Sequence, residues 1–122
     1  MKFNNRKEGK AGEKIAVAYL IKKGFEIDKL NYQKKEGEID IIAREKDCTV
    51  FVEVKSRCLN NRRYLEPISS SVSVTKRRKI RFMAKRYIYQ SKLNPDGKYR
   101  FDVILIKMYK KKAVLKHIKR AF

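Results

Sequence analysis

Residues 37–55 read GEIDIIAREKDCTVFVEVK. Two runs rich in Ile and Val, Glu38 to Arg44 and Cys48 to Lys55, flank the polar pair Lys46-Asp47. This is the pattern of two β-strands joined by a tight turn. Side chains alternate across a strand, so Asp40 shares a face with Glu38 and Ile42, and Glu53 shares one with Lys55. A two-residue turn at Lys46-Asp47 sets Asp40 directly opposite Glu53, with Cβ atoms about 4.5–5.5 Å apart. Like charges in that position destabilise a sheet, so the pair needs a cation. Lys55 is one candidate. A divalent metal is another, since Mg2+ takes one or two carboxylates together with waters and phosphate oxygens. The bland alternative is a solvated edge hairpin whose charges oppose aggregation.

Outward from this hairpin, a first helix is expected from about Asn5 to Lys23, stopped by Gly24. Its apolar stripe includes Ala16, Val17 and Leu20, and Glu13 lies three, four and seven residues before them. Glu13 therefore shares the buried face, an unusual place for a carboxylate. Phe25 to Tyr32 reads as a strand and Lys34 to Gly37 as a turn. Beyond the hairpin, Arg57 to Ile68 reads as a basic loop. A long helix is expected to begin near Ser69–Ser71 and end near Ser91, burying Ile80, Met83, Ala84, Tyr87 and Ile88. Asn94-Pro95-Asp96-Gly97 is a turn, and Lys98 to Lys107 and Ala113 to Ile118 are strands. The order αβββαββ predicts an α/β fold, one mixed sheet with helices packed on it, as a single domain over residues 1–122.

The charge is lopsided. The net charge is +20, and residues 54–122 hold 21 Lys/Arg against three Asp/Glu. A folded domain so charged repels itself unless an anion binds it, and nucleic acid is the expected partner. The densest basic cluster, Lys76 to Arg81 with Lys85 and Arg86, falls on the long helix. Arg57, Arg62, Arg63, Arg77, Arg81 and Lys85 are the candidate phosphate contacts, supplying affinity rather than sequence information. Lys76 differs: its spacing from Val72 and Ile80 turns it inward toward the sheet. From Lys107 to Arg120 there are seven Lys/Arg and no acid; Ala121-Phe122 reads as an apolar anchor for this segment.

No apolar run approaches the eighteen or so residues of a membrane span, and the N-terminus lacks a signal-peptide pattern. Cys48 and Cys58 make neither a disulfide framework nor a zinc site, so a cytoplasmic location with reduced thiols is expected. His117 is the only histidine, which argues against histidine-based metal or triad chemistry; it is expected to be a surface or packed side chain.

Asp40 followed after twelve residues by Glu53-Val54-Lys55 resembles the core of the PD-(D/E)XK nuclease superfamily. Gly37-Glu38-Ile39-Asp40 with Phe51-Val52-Glu53-Val54-Lys55-Ser56-Arg57 resembles, more narrowly, the bacterial YraN family of predicted endonucleases, itself similar to Holliday-junction resolvases. Gly12-Glu13, Asn31, Val72, Lys76, Phe101-Asp102-Val103 and His117-Ile118 extend the resemblance over nearly the whole chain. It implies a restriction-endonuclease-like fold, Glu13, Asp40, Glu53 and Lys55 as the catalytic set, and the three acids as groups that hold Mg2+ or Mn2+. The expected activity is endonucleolytic hydrolysis of DNA, branched or processed DNA included. A non-catalytic nucleic-acid-binding protein that retains the fold is the alternative, and an accessory protein on RNA or the ribosome ranks third. A homodimer would suit symmetric cutting of two strands.

Overall fold

The computed structural model describes residues 5–59 and 69–122. The element order is α1 (Asn5–Lys22), β1 (Glu26–Lys34), β2 (Gly37–Glu45), β3 (Cys48–Leu59), α2 (Val74–Gln90), β4 (Lys98–Tyr109) and β5 (Lys112–Ile118). This is the αβββαββ order expected. The strands form one sheet in the spatial order β1-β2-β3-β4-β5. β1, β2 and β3 run as an antiparallel meander, β3 and β4 are parallel across the α2 crossover, and β4 and β5 are again antiparallel. A parallel pair cannot be closed by a hairpin, which is why a helix lies between β3 and β4.

Strand alternation sorts the core into two layers. Ile41, Ala43, Val50, Val52, Ile104 and Ile106 pack with Ala16 and Leu20 of α1. Phe51, Ile42, Val103 and Leu105 pack with Ile80, Met83, Ala84 and Tyr87 of α2. Because the sheet is buried on both faces, its central strands carry near-continuous apolar runs rather than a clean alternation.

α1 ends as its sequence indicates. Gly24 takes φ 93°, and the amides of Gly24 and Phe25 donate back to the carbonyls of Ile21 and Leu20. This double bond is the usual left-handed glycine stop of a helix. In the middle of α1, a Cβ on Gly12 would lie 2.5 Å from Ser56 Cβ and Oγ. The missing side chain lets α1 press onto β3, and that approach delivers the neighbouring Glu13 to the sheet.

β1 and β4 each run two residues past their expected ends, to Lys34 and Tyr109, and two boundaries differ more. β3 continues four residues past Lys55, so Arg57 stands on a strand and not in a loop. Twelve consecutive partners on β4, from Lys98 opposite Cys48 to Tyr109 opposite Leu59, sustain it. The second helix begins at Val74 and not at the serine run. Ser73 is its N-cap, with its hydroxyl accepting from Lys76 N–H at 3.2 Å, while Ser69 to Ser71 stay outside the helix and the carbonyls of Ser69 and Ser71 are used elsewhere.

The segment Ala121-Phe122 packs as an anchor. Ala121 N–H donates to the Phe101 carbonyl at 2.8 Å, and the Phe122 ring stacks on Phe101 with centroids 5.1 Å apart. Among the described residues, no helix is long and apolar enough to cross a membrane.

Candidate active site

The hairpin of β2 and β3 sets the site. Glu45 pairs with Cys48 across the two-residue turn, where Lys46 adopts φ 57°, and Ile41 pairs with Val52. This is the register expected from the sequence. One step further on, at Asp40 and Glu53, the backbone ladder gives way. The Asp40 carboxylate accepts from Val54 N–H at 2.8 Å, so a side chain closes the gap that backbone pairing leaves. The alternation of β2 also breaks here. Ile39 packs on the α2 side although Ile41, two residues on, packs on the α1 side. That local twist frees Asp40 to meet residues from both layers.

Glu13, Glu38 and Asp40 each bring a carboxylate oxygen within 4.8 Å of the others. Glu13 comes from α1; Glu38 and Asp40 come from β2. Glu53, buried at 7% exposure, adds a fourth negative charge that both Asp40 and Glu13 feel. Burial, then Glu53, then Glu13 and Glu38 push the Asp40 carboxyl up to about 7, against the pull of the Val54 amide. Burial also raises Glu13, helped by Glu38 and Glu53 and opposed by a hydrogen bond from Asn31. Asn31 sits at φ 51° on β1, a backbone conformation asparagine tolerates better than most residues.

Two lysines face the acids. Lys76 Nζ lies 2.6 Å from Glu53 Oε1. Burial alone would lower the Lys76 ammonium, but the hydrogen bond and charge of Glu53, with Asp40 and Glu38 behind it, raise it. Lys55 Nζ donates to the Ser69 carbonyl at 2.9 Å and to the Ser71 carbonyl. Burial and the nearby positive charges of Lys76 and Arg57 lower Lys55, with Glu53 opposing.

The structure therefore brings Glu13, Asp40 and Glu53 together at one end of the sheet, with Lys76 on Glu53 and Lys55 tied to the carbonyls that precede α2. Glu38 was assigned no role from sequence; the available signal was its position two residues before Asp40 on the same strand face. Among the described residues Glu13, Glu38 and Asp40 form one acidic group, with Glu53 beside it held by a lysine, rather than an isolated Asp40–Glu53 pair.

The basic residues divide. Arg57, Arg81 and Lys85 are exposed. Arg77 is partly covered, and its Nε is buried with no hydrogen-bond partner. The Arg81 guanidinium lies 5.9 Å from the Phe101 ring and 5.5 Å from the Phe122 ring, which gives it a packing role at the anchor. Arg62 and Arg63 lie outside the described residues. His117 is packed, between Tyr19 Oη at 3.0 Å and Asp102 Oδ2 at 2.7 Å.

Comparison with known proteins agrees on one family. A UPF0102 protein of Clostridioides difficile (strain 630) is 46% identical over 120 residues, covering 98% of this chain and 100% of the relative. UPF0102 proteins of Alkaliphilus oremlandii and Caldicellulosiruptor saccharolyticus are each 40% identical, over 97% and 98% of this chain and 99% and 100% of theirs. The family profile matches residues 12–106, a span running from Gly12 beside Glu13, through Asp40, Glu53 and Lys55, to the end of the buried run of β4. The chain belongs to the uncharacterised protein family UPF0102, the family to which the YraN resemblance pointed.

Proposed function

We propose that this protein is a divalent-metal-dependent endonuclease acting on DNA. The observation that carries the reading is the convergence of Glu13, Glu38 and Asp40 within 4.8 Å, beside buried Glu53 and Lys55. The donor set is all oxygen, which suits Mg2+ or Mn2+ rather than zinc. Asp40 and Glu13, both raised by burial and by the acids around them, sit where positive charge is short, so the residues present fit such an ion. A bound ion would polarise the scissile phosphoryl group and make its bound water a stronger nucleophile.

The chain's own residues supply the rest. Asp40 is fixed by the Val54 amide, so the carboxylate is oriented before any ligand arrives. An ammonium has three N–H donors. Lys55 spends two on the Ser69 and Ser71 carbonyls, leaving the third for the attacking water or a phosphate oxygen. The cations of β3 and α2, Arg57 and Lys85 among them, would hold the phosphates of the strand on either side.

A second reading, binding of nucleic acid without cleavage, is favoured by the Lys76–Glu53 pair, which partly neutralises the site without a metal. Cleavage of linear, nicked, flapped and four-way DNA with and without Mg2+ or Mn2+ separates the two. Metal-dependent cutting is expected, with Glu53→Ala and Lys55→Ala each lowering the rate at least ~100-fold, the scale of losing one group aimed at a transition state. DNA binding with no cutting of any form would favour the second reading, and wild-type rates in either variant would overturn the site assignment.

A further inference from the structure

Glu53 is the acid that joins the metal-side group to Lys55, yet in this structure its partner is Lys76. The pair is asymmetric. The Glu53 side chain is 8% exposed, whereas the Lys76 side chain is 52% exposed. The carboxylate is fixed in the sheet; the ammonium arrives from solvent on a long, flexible stem. Lys76 N–H is itself held by the cap hydroxyl of Ser73, so its backbone is fixed in the first turn of α2 while its side chain is free to swing. The ammonium also sits within the field of Asp40 and Glu38. Lys55 cannot substitute for it easily, because its own ammonium is engaged by two carbonyls.

Resting on the metal reading above, we propose that Lys76 is the site's resident counter-ion, displaced from Glu53 when a divalent ion binds and thereby released to a substrate phosphate. Without an ion, Lys76 keeps a buried carboxylate from standing unpaired, a state that costs several kcal/mol. With an ion, Glu53 has a stronger partner, and the ammonium is repelled toward the nearest anion. In a bound complex that anion is the phosphate beside the scissile bond. A cation in the first helical turn adds to the positive end of the helix dipole, so it gains more from a phosphate there than elsewhere on α2. Metal and DNA thus become coupled ligands: each binds more tightly once the other has been accommodated.

The test compares the whole chain with Lys76→Met and Lys76→Arg. Mn2+ affinity is measured by calorimetry, and DNA affinity is measured with and without Ca2+, a hard cation of the same ligand preference. Lys76→Met is expected to bind Mn2+ about two- to five-fold more tightly, since no ammonium must be displaced, on the energy scale of a partly exposed ion pair. Lys76→Arg keeps the charge and should stay near the wild type. The gain in DNA affinity that Ca2+ brings to the wild type should shrink in Lys76→Met, because the ion's own contact with a phosphate remains but no ammonium is released to a second one. Should the methionine form fail to fold, Lys76→Gln gives the same readouts with a polar end. Equal Mn2+ affinity in wild type and neutral variants, or a Ca2+-dependent gain undiminished in them, overturns the counter-ion role while the metal site stands. Absence of Mn2+ binding in every form overturns the metal reading and the counter-ion role with it.

Discussion

Asp40 and Asp102 are both aspartates shielded by the same sheet, and they behave oppositely. Asp102, on β4, is wholly buried. It accepts from Arg100 Nε and Nη2 at 3.0 and 3.1 Å, from Arg120 N–H at 3.1 Å, and lies 2.7 Å from His117 Nε2. Burial alone would raise its carboxyl, but the hydrogen bonds of His117, Arg100 and Arg120 hold it below the usual carboxylate range. Asp40 has one amide donor and three acidic neighbours, and its carboxyl rises to about 7. A buried carboxylate surrounded by donors completes a structure. A half-buried carboxylate surrounded by carboxylates lacks the donors that would settle its charge. The two stand two strands apart in the sheet; Asp102 is the deeper of the two, yet it is the one held low, so partners outweigh depth.

The sharpest way to break this contrast is to remove each carboxylate. Asp102→Ala would leave Arg100 with Glu45 alone, leave His117 with only the Tyr19 hydroxyl, and cut the tie to Arg120. A loss of about 3–5 kcal/mol is expected, the range for breaking a buried charge pair by deleting one partner. Asp40→Asn should leave metal-free stability unchanged or higher, because an amide oxygen still accepts from Val54 and one negative charge is gone. Urea unfolding of both variants checks this. If Asp40→Asn costs as much as Asp102→Ala, the acidic end is a structural network and the contrast fails.

A smaller effect concerns pH. Asp40 has a folded pKa of about 7, above its value in an unfolded chain of about 3.9. Between those values the folded state holds a proton that the unfolded state has released. Stability without metal is therefore greatest below the unfolded value and falls as pH rises through 7. From pH 6 to pH 8 the expected loss is at most about 1.4 kcal/mol, one pKa unit of free energy. The facing groups Glu13, Glu38, Glu53 and Lys76 all remain in Asp40→Asn, so the difference between wild type and variant isolates Asp40. A flat difference between pH 6 and pH 8 would show that its proton is not shared in this way.

Much of this was legible before the structure. The register of β2 and β3 followed from a two-residue polar turn between apolar runs, because side-chain alternation leaves few alternatives once one pair is fixed. Glu13 stood out because a charged residue on an apolar helical stripe is rare. Glu38 did not stand out, because an acid at the mouth of a strand reads equally well as solvated charge, and its meeting with Glu13 depends on the packing of α1 that Gly12 permits. The Asp102 network was illegible for a similar reason. Arg100, Asp102, His117 and Arg120 come from one strand, its antiparallel partner and the turn beyond, so their union depends on the β4–β5 register. The end of β3 was missed because its continuation past Lys55 is sustained by partners fifty residues away on β4, not by its own polar sequence.

The smallest expected effect concerns the stretch that follows β5. It carries Lys119 and Arg120 beside the anchor Ala121-Phe122, so it could serve the fold, the DNA, or both. The contacts favour the fold. Lys119 Nζ pairs with Glu45 at 3.3 Å, Arg120 N–H bonds Asp102, and Phe122 completes a stack with Phe101 beneath Arg81. If DNA binds through six to ten phosphates, the wild-type slope of log affinity against log salt should be about −5 to −9. Deleting residues 119–122 should then lower the melting temperature and leave the slope where it was. A slope shallower by about two, the equivalent of two lost phosphate contacts at −0.9 each, with stability intact, would move Lys119 and Arg120 from the structural side of the comparison to the binding side. A wild-type slope shallower than about −3 would go further: the excess positive charge of residues 54–122 would then be a solvated surface, and DNA would lose its claim as the partner.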